Sequence, residues 1–188
     1  MSTLSIFVAI LPLTAAVWTP PAKKETASAL ESNFTSEAGP VPLYRFWNDQ
    51  TFDHFYTTDR KQGAAKRGYS FEKIECKLLG SSSDGAVALH KYSNPTQAHD
   101  HLYTVDANLV GSTQVGQMGN FEYVYEGVAG YCYPTAKTGT VALHRYWQPN
   151  IEDHFYTTDP DTIGTTTPGE EGNSGYKYEK VECYVLPA

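Results

Sequence analysis

Asp53-His54-Phe55-Tyr56-Thr57-Thr58-Asp59 returns unchanged at Asp153-His154-Phe155-Tyr156-Thr157-Thr158-Asp159, and in looser form at Asp100-His101-Leu102-Tyr103-Thr104-Val105-Asp106. Each copy follows a run of leucine, an aromatic or histidine, a base and an aromatic: Leu43 to Trp47, Leu89 to Tyr92 and Leu143 to Trp147. After a loop of variable length, each is followed by an aromatic-x-aromatic-Glu run at Tyr69 to Glu72, Tyr123 to Glu126 and Tyr176 to Glu179. The chain is a threefold internal repeat with a unit of about 50 residues, a period that specifies closed or stacked architectures. The units divide as residues 41–86, 87–140 and 141–188.

All 14 tyrosines lie within residues 41–188, and so aromatic a segment with few straight-chain helix formers favours strands. Four short strands are expected per unit: Leu43 to Trp47, His54 to Thr58, Gly68 to Glu72 and Ile74 to Leu79 in the first, with their counterparts in the other two. Turn formers such as Asn48-Asp49 and Thr167-Pro168-Gly169 separate them, and only Arg60 to Lys66 looks helical. Twelve strands in an open sheet would leave exposed edges, so closure is expected. The fold class read from the chain is all-β, a β-trefoil of three repeats, with a small β-propeller as the alternative.

The flanking sequence is of a different kind. Residues 4–17 form an apolar run too short to span a bilayer and end in small residues, which reads as a signal peptide over residues 1–16. Residues 17–40 are rich in Pro, Ser, Thr, Ala and Glu without hydrophobic period, as in a disordered linker or pro-segment. Asn33-Phe34-Thr35 is a glycosylation acceptor sequence. These features predict a secreted, extracellular glycoprotein. Of 14 bases and 21 acids, Lys23, Lys24, Glu25, Glu31 and Glu37 fall in the leader and linker, which leaves 12 bases and 18 acids in the repeats. An acidic domain without basic clusters does not suit nucleic acid, and no membrane insertion is expected.

The order LYRFWN, DHFYTTD, GYSFEKIECKLL and its echo LHRYWQP, DHFYTTD, GYKYEKVECYVL resemble a family of secreted repeat domains of unknown function from bacteria and fungi. That resemblance covers residues 41–188 and implies a β-trefoil-like, lectin-like domain. The second repeat departs from the pattern, with Ser93 in place of tryptophan and Leu102 in place of phenylalanine.

Arg45, Lys91 and Arg145 recur against Glu72, Glu126 and Glu179, as expected of an inter-strand ion pair repeated three times, since a charge among aromatics is tolerated only when paired. Asp59, Asp106 and Asp159 are expected to cap the turns that follow. The Asp-His pairs suggest a base with its orienting carboxylate, but neighbours on a strand point to opposite faces and cannot bond to each other. His54, His101 and His154 are therefore expected to be buried or half-buried and hydrogen-bonded to backbone. Without a nucleophile elbow or paired catalytic carboxylates, no enzyme activity is expected. No cofactor and no metal site are expected either. Cys76, Cys132 and Cys183 allow one disulfide of undetermined pairing.

Trp47 and Trp147, followed by Asn48 and Gln148, stand at the mouth of the loop leading to Asp53 and Asp153. An aromatic ring beside an amide and a carboxylate is suited to a sugar, whose C–H face packs on the ring while the polar groups take the hydroxyls. The expectation is a non-enzymatic, lectin-like protein with repeated shallow sites for glycans or cell-wall polysaccharide. A protease inhibitor acting through a protruding loop, such as residues 161–174, is the alternative.

Overall fold

The computed structural model describes residues 39–82, 85–96 and 99–188. The expected signal peptide, Asn33 and nearly all of the expected linker lie outside these residues. The described chain is all-β and consists of three small antiparallel sheets, one per repeat.

The first sheet contains β1 (Val41–Asn48), β2 (Asp53–Thr57) and β3 (Tyr69–Leu78). The second contains β4 (Val87–Ser93), β5 (His101–Thr104) and β6 (Val124–Cys132). The third contains β7 (Val141–Gln148), β8 (Asp153–Thr157) and β9 (Lys177–Val185). In each, the first strand of the repeat lies in the middle, giving the orders β2-β1-β3, β5-β4-β6 and β8-β7-β9. The one α-helix among the described residues, α1 (Arg60–Ala65), is capped by Asp59, whose side chain accepts the N–H groups of Lys61 and Gln62. Asp106 and Asp159 take the N–H groups of Asn108 and Asp161 in the same way.

Among the described residues nine strands stand where twelve short ones were expected, because the last two of each repeat are merged into one long strand, β3, β6 or β9. The break anticipated near Lys73 is a pair of β-bulges inside a continuous strand. Leu43 pairs with Cys76 but Tyr44 with Ile74, which skips Glu75; Arg45 pairs with Lys73 but Phe46 with Phe71, which skips Glu72. The second sheet skips Ala129 and Glu126 at the same places, and the third skips Glu182 and Glu179. A bulge leaves its extra residue outside the ladder and re-aims its side chain. Strict alternation would therefore bury Ile74 with Cys76 and Leu78, whereas Ile74 is exposed and Glu75 is buried.

The inner edge strands β2, β5 and β8 face one another around a pseudo-threefold axis. Tyr56, Tyr103 and Tyr156 close a ring there without exposure to solvent. The Tyr56 hydroxyl donates to the Tyr156 carbonyl and accepts its N–H, both at 2.8 Å. Tyr103 docks on Tyr56 and Tyr156 on Tyr103 by the same double contact. The edge-strand polar groups that would invite pairing with another chain are answered by side chains of the neighbouring repeat.

Beneath this ring, Leu43, Leu89 and Leu143 pack with Cys76, Leu78, Cys132, Cys183 and Val185 in one apolar cluster. Cys132 and Cys183 form the disulfide, with Cα atoms 6.1 Å apart, and Cys76 is a buried free thiol. Gly130 takes the position of Cys76 and Cys183 because a Cβ there would lie 2.7 Å from the Leu78 side chain. Single bridges, Lys77 with Leu186, Leu79 with Tyr131 and Tyr133 with Tyr184, join the sheets at this end.

Candidate functional site: three clefts between repeats

Each Asp-His pair of the sequence is divided between neighbours. Asp153 Oδ1 accepts the His54 backbone N–H at 2.7 Å, and its Oδ2 lies 2.6 Å from His54 Nδ1. Asp53 holds His101 in this way at 3.1 and 2.7 Å, and Asp100 holds His154 at 2.7 and 2.6 Å. The cycle runs once around the axis. Tyr69, Tyr123 and Tyr176 each donate a hydroxyl to the aspartate of their own repeat. The histidines are buried as expected, but their partners are carboxylates rather than backbone groups.

The three aspartates offer oxygens within 4.8 Å of one another, close enough to share a cation. Every one of these oxygens already accepts an N–H or O–H. Burial pushes the Asp53 pKa up, the His101 contacts and the Tyr69 hydroxyl offset this only in part, and the nearby Asp100 charge adds to it. Burial acts on Asp100 too, but His154, the Tyr123 hydroxyl and the backbone N–H outweigh it and hold its pKa below the usual value. Burial alone would lower the His154 pKa, and the Asp100 and Glu179 carboxylates raise it instead.

The ends of this ring open into three clefts. Trp47 lies on the His54 ring, centroids 4.4 Å apart, and Trp147 on the His154 ring at 4.6 Å. Both tryptophans are half-buried and are tilted against their histidines, with interplanar angles of 41° and 43°. The first-repeat cleft, about 300 Å³, is lined by Trp47, Phe52, His54 and Glu72, with Ile151, Ser174 and Tyr176 of the third repeat opposite. The third-repeat cleft is about 410 Å³ and presents Trp147, Glu152, His154, Arg145 and Glu179 to Asn94, Phe121 and Tyr123 of the second. The second-repeat cleft, about 370 Å³, has Ser93 in place of the tryptophan, with His99, His101 and Glu126 facing Asn48, Lys66 and Tyr69.

Two exposed aromatics complete the walls. Phe121 is 69% exposed at φ 56°, and Phe52 is 50% exposed at φ 54°. A non-glycine residue held in the left-handed region costs about 1–3 kcal/mol and tends to mark functional segments. Glu152 and His99 hold the same conformation at the positions of Phe52 in the other clefts.

The bulged glutamates supply the charge. Arg45 Nε donates to Glu72 at 2.7 Å and its Nη1 to Glu75 at 2.9 Å; Arg145 meets Glu179 at 2.6 Å and Glu182 at 2.9 Å. Lys91 meets Glu126 at 2.8 Å. The expected threefold ion pair is present. Glu72 and Glu179 keep a third of their side-chain surface open and lie 3.7 Å from the Nε2 atoms of His54 and His154.

Of the residues expected to bind a ligand, Trp47 and Trp147 lie in the clefts. Asp53 and Asp153 do not present a free carboxylate, since both have no exposed surface and are committed to histidine and tyrosine. Asn48 and Gln148 are also buried and serve the turns: Asn48 Oδ1 accepts the Gln50 N–H, while Gln148 accepts from Asn150 and donates to the Ser174 carbonyl. Asn94 serves a turn as well, since its Oδ1 accepts the Thr96 N–H and its Nδ2 donates to the Phe121 carbonyl. The polar groups left for a ligand are Glu72, Glu179 and Glu152, with the aromatic Phe52 in the first-repeat cleft and Phe121 in the third. Sequence reading missed them because each is set by a bulge, a left-handed residue or a neighbouring repeat.

These features define a class: an all-β protein of three sequence-repeated sheets, keyed together on an axis, with a cleft at each junction. The chain belongs to the DUF5648 family, a domain of unknown function, whose model matches residues 23–110 and 42–186. No curated protein and no solved structure matches it. No helix among the described residues is long and apolar enough to cross a membrane.

Proposed function

We propose that the protein is a secreted, non-enzymatic carbohydrate-binding protein whose sites are the clefts of the first and third repeats. The observation that carries this reading is the third-repeat cleft, where the half-buried Trp147 and the exposed Phe121 bound one space with Glu152 and Glu179 beside them. Aromatic walls with a few polar groups suit a sugar ring, whose C–H face stacks while its hydroxyls find acceptors. The carboxylates accept from sugar hydroxyls, so neutral sugars fit these clefts better than anionic ones.

The tryptophan is absent from the second cleft, leaving two sites per chain. A shallow site of this size reaches about millimolar affinity, so useful binding to a cell-wall polysaccharide or glycan surface needs both together. Within this reading, the three separate sheets suit a three-bladed propeller, while the bridges joining them at one end are the feature shared with a trefoil. The inhibitor alternative gains no distinctive loop, because residues 161–174 have a twin in the second repeat. Asn173 N–H bonds to the Ile163 carbonyl as Asn120 N–H does to Val110, and Gly169 to Tyr178 as Gly116 to Tyr125.

The test is a glycan screen with immobilised polysaccharides, followed by Trp47→Ala and Trp147→Ala. Each single variant is expected to weaken binding to a multivalent surface, the double variant to lose far more than either, and Ser93→Ala to change nothing. Variants that fold and bind as the parent does overturn the assignment.

A further inference from the structure

In the first and third repeats the second bulge residue, a glutamate, reaches across to a neighbouring sheet. Glu75 Oε1 accepts the Thr158 N–H at 2.8 Å and the Thr158 hydroxyl at 3.0 Å, while its Oε2 meets Arg45 at 2.9 Å. Glu182 Oε1 accepts the Val105 N–H at 2.7 Å and the Thr104 hydroxyl at 3.0 Å, and its Oε2 meets Arg145 at 2.9 Å. Lys73 and Lys180 add a second cation to each carboxylate, at 3.2 and 3.1 Å.

At the third junction the bulge residue is Ala129. The backbones keep the same relation: the Thr58 hydroxyl lies 3.5 Å from the Ala129 carbonyl, as that of Thr158 lies 3.4 Å from the Glu75 carbonyl. Among the described residues the Thr58 N–H has no carboxylate partner like the one Glu75 gives Thr158. Lys91 takes the arginine's position and contacts one glutamate, Glu126, where each arginine contacts two. Gly127 stands at the register position of Lys73 and Lys180. Gln62, from α1, takes the Thr57 hydroxyl at 2.7 Å. Without the glutamate and lysine side chains, a cavity of about 250 Å³ lies between Thr57, Thr58, Gln62, Lys91, Gly127 and Ala129.

We propose that this cavity binds the carboxylate of a ligand, seated where the Glu75 and Glu182 carboxylates sit at the other two junctions. One oxygen takes the Thr58 N–H and hydroxyl, and the other takes the Lys91 ammonium. The carboxylate belongs either to a small organic acid or to an acidic sugar of the uronic type. Asp59 and Glu126 also line the cavity and repel a further anion, which keeps the affinity at about millimolar. The site shares no residue with the two tryptophan clefts and does not depend on their assignment.

The test follows the Thr58 backbone amide of ¹⁵N-labelled protein during titration with sodium acetate, sodium galacturonate or neutral galactose, against sodium chloride at matched ionic strength. A saturable shift is expected with at least one of the two carboxylates and not with galactose or chloride. Acetate alone identifies a small-acid site, and galacturonate identifies the sugar. Ala129→Glu places the missing carboxylate on the chain; it is expected to melt above the parent and to show no acetate shift. Lys91→Gln is expected to weaken the parent's response several-fold, and it decides the matter if Ala129→Glu does not fold. The proposal is overturned if the parent shows no saturable shift up to roughly ten times a millimolar constant, or if Ala129→Glu or Lys91→Gln responds as the parent does. Trp47→Ala and Trp147→Ala are expected to retain the response, which separates failure of this site from failure of the glycan clefts.

Discussion

Asp153 of the third repeat holds His54 of the first at two points, taking its backbone N–H at 2.7 Å on one oxygen and its Nδ1 at 2.6 Å on the other. With the equivalent contacts of Asp53 and Asp100, this closes the three sheets into a ring in which each repeat positions the histidine beneath the next cleft. The cleft geometry and the stability of the fold therefore depend on the same carboxylates.

Asp100→Ala is expected to cost about 3–5 kcal/mol, the range for breaking a buried pair and stranding its partners. It leaves the His154 N–H, its ring and the Tyr123 hydroxyl without their acceptor. Urea unfolding of parent and variant measures it. A loss below about 1 kcal/mol, typical of an exposed ion pair, contradicts the ring's role.

The same pair carries a pH dependence. The Asp100 pKa is lowered from 3.8, so its contribution is present above that value and is lost as pH falls through the folded-state pKa. The His154 pKa is raised from 6.5, so its contribution is full below 6.5 and is lost as pH rises through the folded-state pKa. Asp53, with its pKa raised from 3.8, has the opposite sign to Asp100 and favours the fold at low pH. Comparing parent with His154→Gln cancels Asp53 to first order. The parent's advantage is expected to be largest between pH 3.8 and 6.5 and to shrink as pH rises from 6.5 through the raised folded-state pKa of His154; an advantage that grows with pH above 6.5 rules the pairing out.

Tyr103→Phe removes one hydroxyl from the axial ring and leaves the Tyr56 N–H and carbonyl without a partner. A buried unsatisfied group costs about 1–3 kcal/mol. A fall in melting temperature with unchanged glycan binding is the expected result, since the ring lies away from the clefts. Hydrogen exchange at the Tyr56 amide should accelerate.

Non-reducing peptide mapping should recover Cys132 linked to Cys183 and Cys76 as a free thiol. Cys76 is fully buried and its thiol pKa is pushed up by burial, so it should resist alkylation until the protein unfolds. The disulfide spans 51 residues, and its loss through Cys132→Ser is expected to cost about 4 kcal/mol on the chain-entropy account. Rapid labelling of Cys76 in the folded state would show that the lower core is open.

The repeat, its all-β class, the Arg–Glu pairing and the aspartate caps are local or periodic properties, and periodicity is written in the chain. The strand content was legible for the same reason, since aromatic runs bounded by turn formers leave few alternatives. The partners of the Asp-His motif were not legible, because adjacent strand residues face opposite sides and the bond is made to a residue about fifty to a hundred positions away, on a repeat brought alongside only by closure of the ring. The inward turn of Glu75 and Glu182 also escaped the alternation rule, because a bulge inserts one residue and reverses the phase. Amides and carboxylates chosen beside Trp47 and Trp147 proved to be turn and axis residues, whereas Phe52 and Phe121 reach the clefts through left-handed backbone that residue type does not announce. Residue order determined the units and their internal pairing; only the assembled ring decided which side chains of different repeats share a cleft, because that depends on three-dimensional closure and not on spacing along the chain.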